Sequence, residues 1–267
     1  MKTIFKVSLT VLPLTASLLA LIALYALSVG APELIRDLLL IVGPVCPLVV
    51  GTFGVLLFGR GALTSADILH FMCLTISLGL VVLTLPESAT SIVTVTQDPH
   101  LFYFAVTLLQ IPGVLLWTTG IVSYLLTLMR TLRPAQMPKS LVLLLVVTVA
   151  TVIAERAILM VMTPRSDILE TIVSIPVSVA VVTILLSLIV ITWQFRGGVI
   201  AVPFAVLTLT LFIFVVRDLI SVLVVLGPTD PTVRLLAVEA YLLAGVALIG
   251  FEQISPTYVQ RVGTTTG

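Results

Sequence analysis

Two acid-base neighbours, Glu155-Arg156 and Arg217-Asp218, and a lone Glu239 lie inside long apolar runs of this 267-residue chain. A bare charge in hydrocarbon is costly, so each needs a partner at its own depth. Three acids against two bases leave one acid over. Such an acid could bind a proton, a cation or an amine, or respond to a signal, and Glu239 is its best candidate. The other outcome needs no ligand. Glu155 with Arg217 and Arg156 with Asp218, or a permutation, would form ion pairs locking three helices together, and breaking one such pair typically costs about 3–5 kcal/mol.

Polar residues surround these charges. Thr148, Thr151 and Glu155 follow the i, i+3, i+7 spacing of one helix face. Thr171, Ser174 and Ser178 make a similar stripe in the next run, where Pro176 frees a backbone carbonyl. Ser221 lies one turn beyond Arg217, and Ala237, Ala240 and Ala244 give the Glu239 run a small-residue face for close packing.

Other chemistries lack their residues. His70 and His100 fall at opposite ends of their spans, roughly 30 Å apart across a bilayer, too far to share a haem or metal. Lys2, Lys6 and Lys139 all lie near a membrane surface, which rules out a Schiff-base lysine in a late helix. Neither HExxH nor GxSxG occurs, and Cys46 and Cys73 read as small buried apolar residues. The expectation is a non-enzymatic protein without cofactor or metal.

The elements that position the charges are membrane helices. The chain is 60% hydrophobic and 9% charged, with a mean hydropathy of +1.30. Soluble domains of this length do not reach such values. Apolar runs of about 20 residues separated by turn residues give eight spans, near 5–28, 33–58, 65–85, 100–129, 139–162, 167–194, 199–226 and 231–251. The first is too long for a signal-peptide core and is read as a retained helix. At 1.5 Å rise per residue the five charges of spans 5, 7 and 8 all fall roughly 10–13 Å below the outer boundary, so they could meet.

Basic residues set the orientation. Lys2, Lys6, Arg60, Arg130, Arg133, Lys139, Arg196 and Arg261 fall on one side with Asp67 and Glu252, for a net charge of +6. Arg36, Arg165 and Arg234 fall on the other with Glu33, Asp37, Glu87, Asp98, Asp167, Glu170 and Asp230, netting −4. The basic side is cytoplasmic by the positive-inside rule, which places both termini inside the cell membrane. Arg60-Gly61 recurs as Arg196-Gly197 at an offset of 136, and that offset also lays spans 1–4 over 5–8. It suggests two parallel four-helix units, 1–134 and 135–251, before a disordered cytoplasmic tail, 252–267. The first unit has Leu19, Ala20, Val81, Val82 and Tyr103 where the second has its charges. Gly43-Pro44-Val45-Cys46-Pro47 and Ile111-Pro112-Gly113 are either ordinary kinks or broken helices of the kind that line transporter sites.

The stretches Val216-Arg217-Asp218-Leu219-Ile220, Gly227-Pro228-Thr229-Asp230 and Leu242-Leu243-Ala244-Gly245-Val246-Ala247 resemble the paired-helix pattern in polytopic input modules of prokaryotic sensor kinases and cyclases. The resemblance covers about 40 residues. It implies a sensor-like module whose output domain, absent from the roughly 16 residues after span 8, lies on a separate chain.

The sequence therefore predicts an all-α, polytopic integral membrane protein of about eight helices. Its expected role is a sensor-like or accessory subunit acting through a membrane or cytoplasmic protein partner. The competing expectation is a small ion-coupled transporter using Glu239 and Glu155. The bilayer is the common partner; nucleic acid is not expected, and a homo-oligomer is compatible with either.

Overall fold

The computed structural model describes residues 32–64, 67–92, 99–132, 135, 137–162, 168–223 and 230–263; side chains at several helix ends, among them those of His100, Glu170, Thr171 and Ser221, are not described. Predicted span 1 therefore lies outside the described residues. Spans 2 to 8 are seven helices: α1 Pro32–Thr64, α2 Ile68–Ile92, α3 Pro99–Leu132, α4 Met137–Met162, α5 Ile168–Gln194, α6 Ala201–Leu223 and α7 Pro231–Gly263. All seven are long and apolar enough to cross a membrane, and the described residues contain no strand. The protein is all-α and of the multi-pass membrane type.

Six helices close a ring in the order α1, α2, α3, α5, α6, α7 and back to α1. Its centre is filled by residues such as Met72, Ile76, Ile121, Leu188, Phe204, Val238 and Phe251. Helix α4 stands outside, packed mainly on α5. Only 11% of its membrane span is buried, against 50% for α2 and 61% for α7. An all-round apolar helix is expected to be buried either by protein or by lipid, and for most of α4 the second applies. The Glu155-Arg156 pair is thus carried by the most peripheral described helix.

Close helix approach depends on small residues. A Cβ on Gly51 would come within 2.7 Å of the Ser77 carbonyl oxygen of α2, and one on Gly79 would collide with the Trp117 ring of α3. Lipid gives no hydrophobic drive between helices, so such contacts carry much of the association.

Three helix ends differ from expectation, and the first is that of α1, which runs to Thr64 instead of Phe58. Helix α2 does not stop at Leu85; it continues through Pro86 to Ile92. A membrane helix tolerates proline where neighbouring groups satisfy the freed backbone, and Glu87 becomes an intramembrane residue. Helix α7 runs on to Gly263 instead of ending at Phe251. The polar residues from Glu252 onward end the membrane span without ending the helix, so the expected disordered tail is helical through Gly263. The repeated Arg-Gly dipeptide also differs between its copies: Gly61 is inside α1, whereas Gly197 adopts φ +85° in the turn after α5.

Candidate functional site

The most buried charge cluster is centred on Glu87. Its Oε2 accepts a hydrogen bond from Arg234 Nη1 at 3.0 Å, and its Oε1 accepts one from the Tyr241 hydroxyl at 2.8 Å. Arg217 Nη1 lies 3.6 Å from Oε1, and Arg217 Nη2 pairs with Asp218 Oδ1 at 2.7 Å. Side-chain exposure is 3% for Arg234, 10% for Glu87 and 14% for Arg217, but 64% for Asp218. The cluster thus has two acids and two bases, and only Asp218 reaches the open edge. The carboxylate accepts one guanidinium and one hydroxyl hydrogen bond and faces a second guanidinium, and a hydrogen bond to a charged group is worth roughly 1.5–3 kcal/mol.

Each element places its residue for a local reason. Arg234 and Tyr241 are seven residues apart, two helical turns, and share the inward face of α7. On α6, Phe214 is one turn before Arg217; its ring sits 5.1 Å under the guanidinium and edge-on to Tyr241 at 5.1 Å. On α1, Gly43 supplies space: a Cβ there would lie 3.1 Å from Arg234 Nη1. Pro44 has no N–H, which frees the carbonyl of Leu40. That carbonyl accepts the Ser91 hydroxyl of α2 at 2.7 Å, one turn beyond Glu87. The Gly-Pro step of α1 thereby anchors the end of α2 that carries the central acid.

Below the cluster, inside the ring, is a cavity of about 60 Å³ bounded by Glu87, Gln110, Trp117, Val181, Arg217 and Tyr241 among others. Five of the six ring helices contribute to its wall. The space suits a few water molecules or a small ion.

The five charges singled out from sequence are distributed over three places. Arg156 donates to Ser174 at 2.7 Å and to Ser178, and Ser178 donates to Glu155 at 2.9 Å. Glu155 and Arg156 themselves approach at 3.7 Å. This grouping staples α4 to α5. Arg217 turns instead to Glu87, with Asp218 beside it. Glu239 lies on the partly exposed face of α7, away from Arg234 and Tyr241, and has no ion-pair or hydrogen-bond partner among the described residues. The expected pairs Glu155 with Arg217 and Arg156 with Asp218 are replaced by these contacts, because α4 packs on α5 and α6 faces the ring interior.

Of the supporting polar residues, Ser174 and Ser178 take part directly. Thr148 is buried, with its hydroxyl lacking a partner among the described residues. Thr151 is exposed and bonds back to Val147 of its own helix at 2.8 Å. The side chains of Thr171 and Ser221 lie outside the described residues.

Glu87 and Arg234 were the residues missed. Both stood in outer loops by sequence, Glu87 because Pro86 read as a stop and Arg234 because Pro231 read as a start only three residues earlier. Moving one acid and one base from loop to core leaves the outer net charge unchanged, so the orientation count could not expose the error. The Arg234-Tyr241 spacing on a small-residue face was the available signal. No family model, no curated protein and no solved structure matches the chain.

Proposed function

We propose that this chain is a non-enzymatic, sensor-like or accessory membrane subunit of eight spans with both termini cytoplasmic, whose conformation is held by the Glu87 cluster and which acts through a partner protein. One observation carries it. Glu87 on α2 is bound by Arg234 and Tyr241 on α7 and faced by Arg217 on α6, so one carboxylate ties helices across the ring. Its acceptor sites are taken by protein donors, which suits a latch better than an open ligand site. Asp218, half of the Arg217 pair and largely exposed, offers the outside a route to that latch.

The contact order supports two parallel units. The segment α1-α2-α3 corresponds to α5-α6-α7 at the 136-residue offset, and the junctions α3 to α5 and α7 to α1 are then equivalent. The Glu87 cluster joins the first unit, through α1 and α2, to the second, through α6 and α7.

The cavity between the units favours a second reading, an ion-coupled carrier, because such proteins bind substrate at repeat interfaces. Its acids would be Glu87 and Asp218; neither Glu155 nor Glu239 lines the cavity. The two readings separate by water access. With Cys46 and Cys73 replaced by Ala, an Asp218→Cys variant in sealed vesicles is treated with a membrane-impermeant thiol reagent from each side, in the Glu87 and the Glu87→Gln backgrounds. The latch predicts labelling from one side only, faster in Glu87→Gln. Labelling from both sides overturns it in favour of the carrier. Recovery of the chain from native membranes without a stoichiometric protein partner overturns the accessory role.

A further inference from the structure

At the end of the bundle opposite Glu87, a cleft of about 250 Å³ opens between α3, α4 and α5. Its walls are almost wholly apolar, with Leu128 and Met129 from α3, Leu144 and Val147 from α4, and Leu186 and Val190 from α5. Helix α4 is stapled to α5 by the Arg156 bonds at its other end and makes few contacts with α3, so the cleft remains open along its first turns. Ser140 and Gln194 are the polar members of the lining.

The rim is basic. Arg130 follows Met129, Lys139 precedes Ser140, and Arg196 lies two residues past Gln194; all three are exposed. Arg196 is stacked on Trp193 at 4.5 Å, and Trp193 is 64% exposed, as an interfacial anchor would be. Among the described residues, these three helices carry no acid at this end. Helix α3 contains none, and the acids of α4 and α5, Glu155 and Glu170, are toward the opposite end.

We propose that this cleft is a binding site for one anionic glycerophospholipid, an acyl chain filling the space between α3, α4 and α5 and the phosphate-bearing headgroup held by Arg130, Lys139 and Arg196. An apolar cleft in a bilayer fills with chain from any lipid. Three bases, one on or just past each of the three lining helices and within two residues of a lining position, select the anionic headgroup, in the way basic pockets between membrane helices do.

The test is native mass spectrometry of the full chain taken from bilayers of equal parts phosphatidylglycerol and phosphatidylcholine with identical chains. Wild type is expected to retain one phosphatidylglycerol with at least about a fivefold excess over phosphatidylcholine, and each base neutralised should lower that excess severalfold. The triple variant Arg130→Gln, Lys139→Gln, Arg196→Gln is expected to keep one lipid without preference. Val190→Trp, or Ser140→Trp from the opposite wall, should lose the retained lipid. Arg60→Gln, a base at the same end on α1, should keep the excess and controls for general surface charge. Equal retention of the two lipids by wild type, an unchanged triple variant, or an equal loss in Arg60→Gln would overturn the proposal.

Discussion

Removing the Glu87 carboxylate tests the site most directly. Glu87→Ala leaves the guanidinium of Arg234, 3% exposed, without its 3.0 Å partner, and leaves Arg217, 14% exposed, with Asp218 alone. The Tyr241 hydroxyl loses its acceptor as well. Deleting one member of a buried pair costs about 3–5 kcal/mol, since the surviving charge stays desolvated. For a chain of this size each kcal/mol moves the midpoint by roughly 2–4 °C, so a loss on the order of 10 °C is expected. Cys46 and Cys73 are 8% and 0% exposed and provide the assay: a dye that fluoresces on reacting with thiols reports unfolding in detergent. Glu155→Ala is the comparison. Glu155 is 38% exposed, and Arg156 keeps both serines, so a loss of only about 1 kcal/mol is expected after allowing for screening. Adding Arg234→Met to Glu87→Ala should recover part of the loss by removing one of the two guanidiniums that faced the carboxylate. If Glu87→Ala melts within about 2 °C of wild type, less than ~1 kcal/mol, the ring is held by packing and the latch does not exist.

Three further outcomes follow from the same geometry. Tyr241→Phe removes one hydrogen bond to the carboxylate and should cost about 1.5–3 kcal/mol in the same assay, with no added effect in a Glu87→Ala background. Gly79→Ala sets a methyl against the Trp117 ring and should destabilise by roughly 1–3 kcal/mol, whereas Gly59→Ala, with nothing within 4 Å, should be neutral or slightly stabilising. A double-mutant cycle of Arg156→Ala with Ser178→Ala should show coupling above about 0.5 kcal/mol, while Arg156→Ala with Arg217→Ala should be additive; the reverse pattern would restore a single five-charge network.

Several features were legible in the chain alone, because they depend on chain-local physics. Apolar run length gave seven helices to within a few residues, except at the ends of α1, α2 and α7, since in hydrocarbon the backbone must bond to itself. The same cost of bare charge marked Arg217 and Asp218 as needing partners. Which partners they found was a tertiary matter. Depth alone put Glu155 and Arg217 at one level, yet level does not say which helices are neighbours, and α4 is outside the ring. Pro86 looked like a helix end because its missing N–H is a local defect. It is tolerated here because helices surround it, and the acid just beyond it became the centre of the cluster. The Gly43-Pro44 step was visible as a sequence oddity. Only the packed bundle shows that its absent Cβ admits Arg234 and its freed Leu40 carbonyl receives Ser91. Composition and periodicity determine that this chain crosses a membrane as helices; the order of those helices around the ring, fixed by small-residue contacts distant in sequence, decides which charges meet.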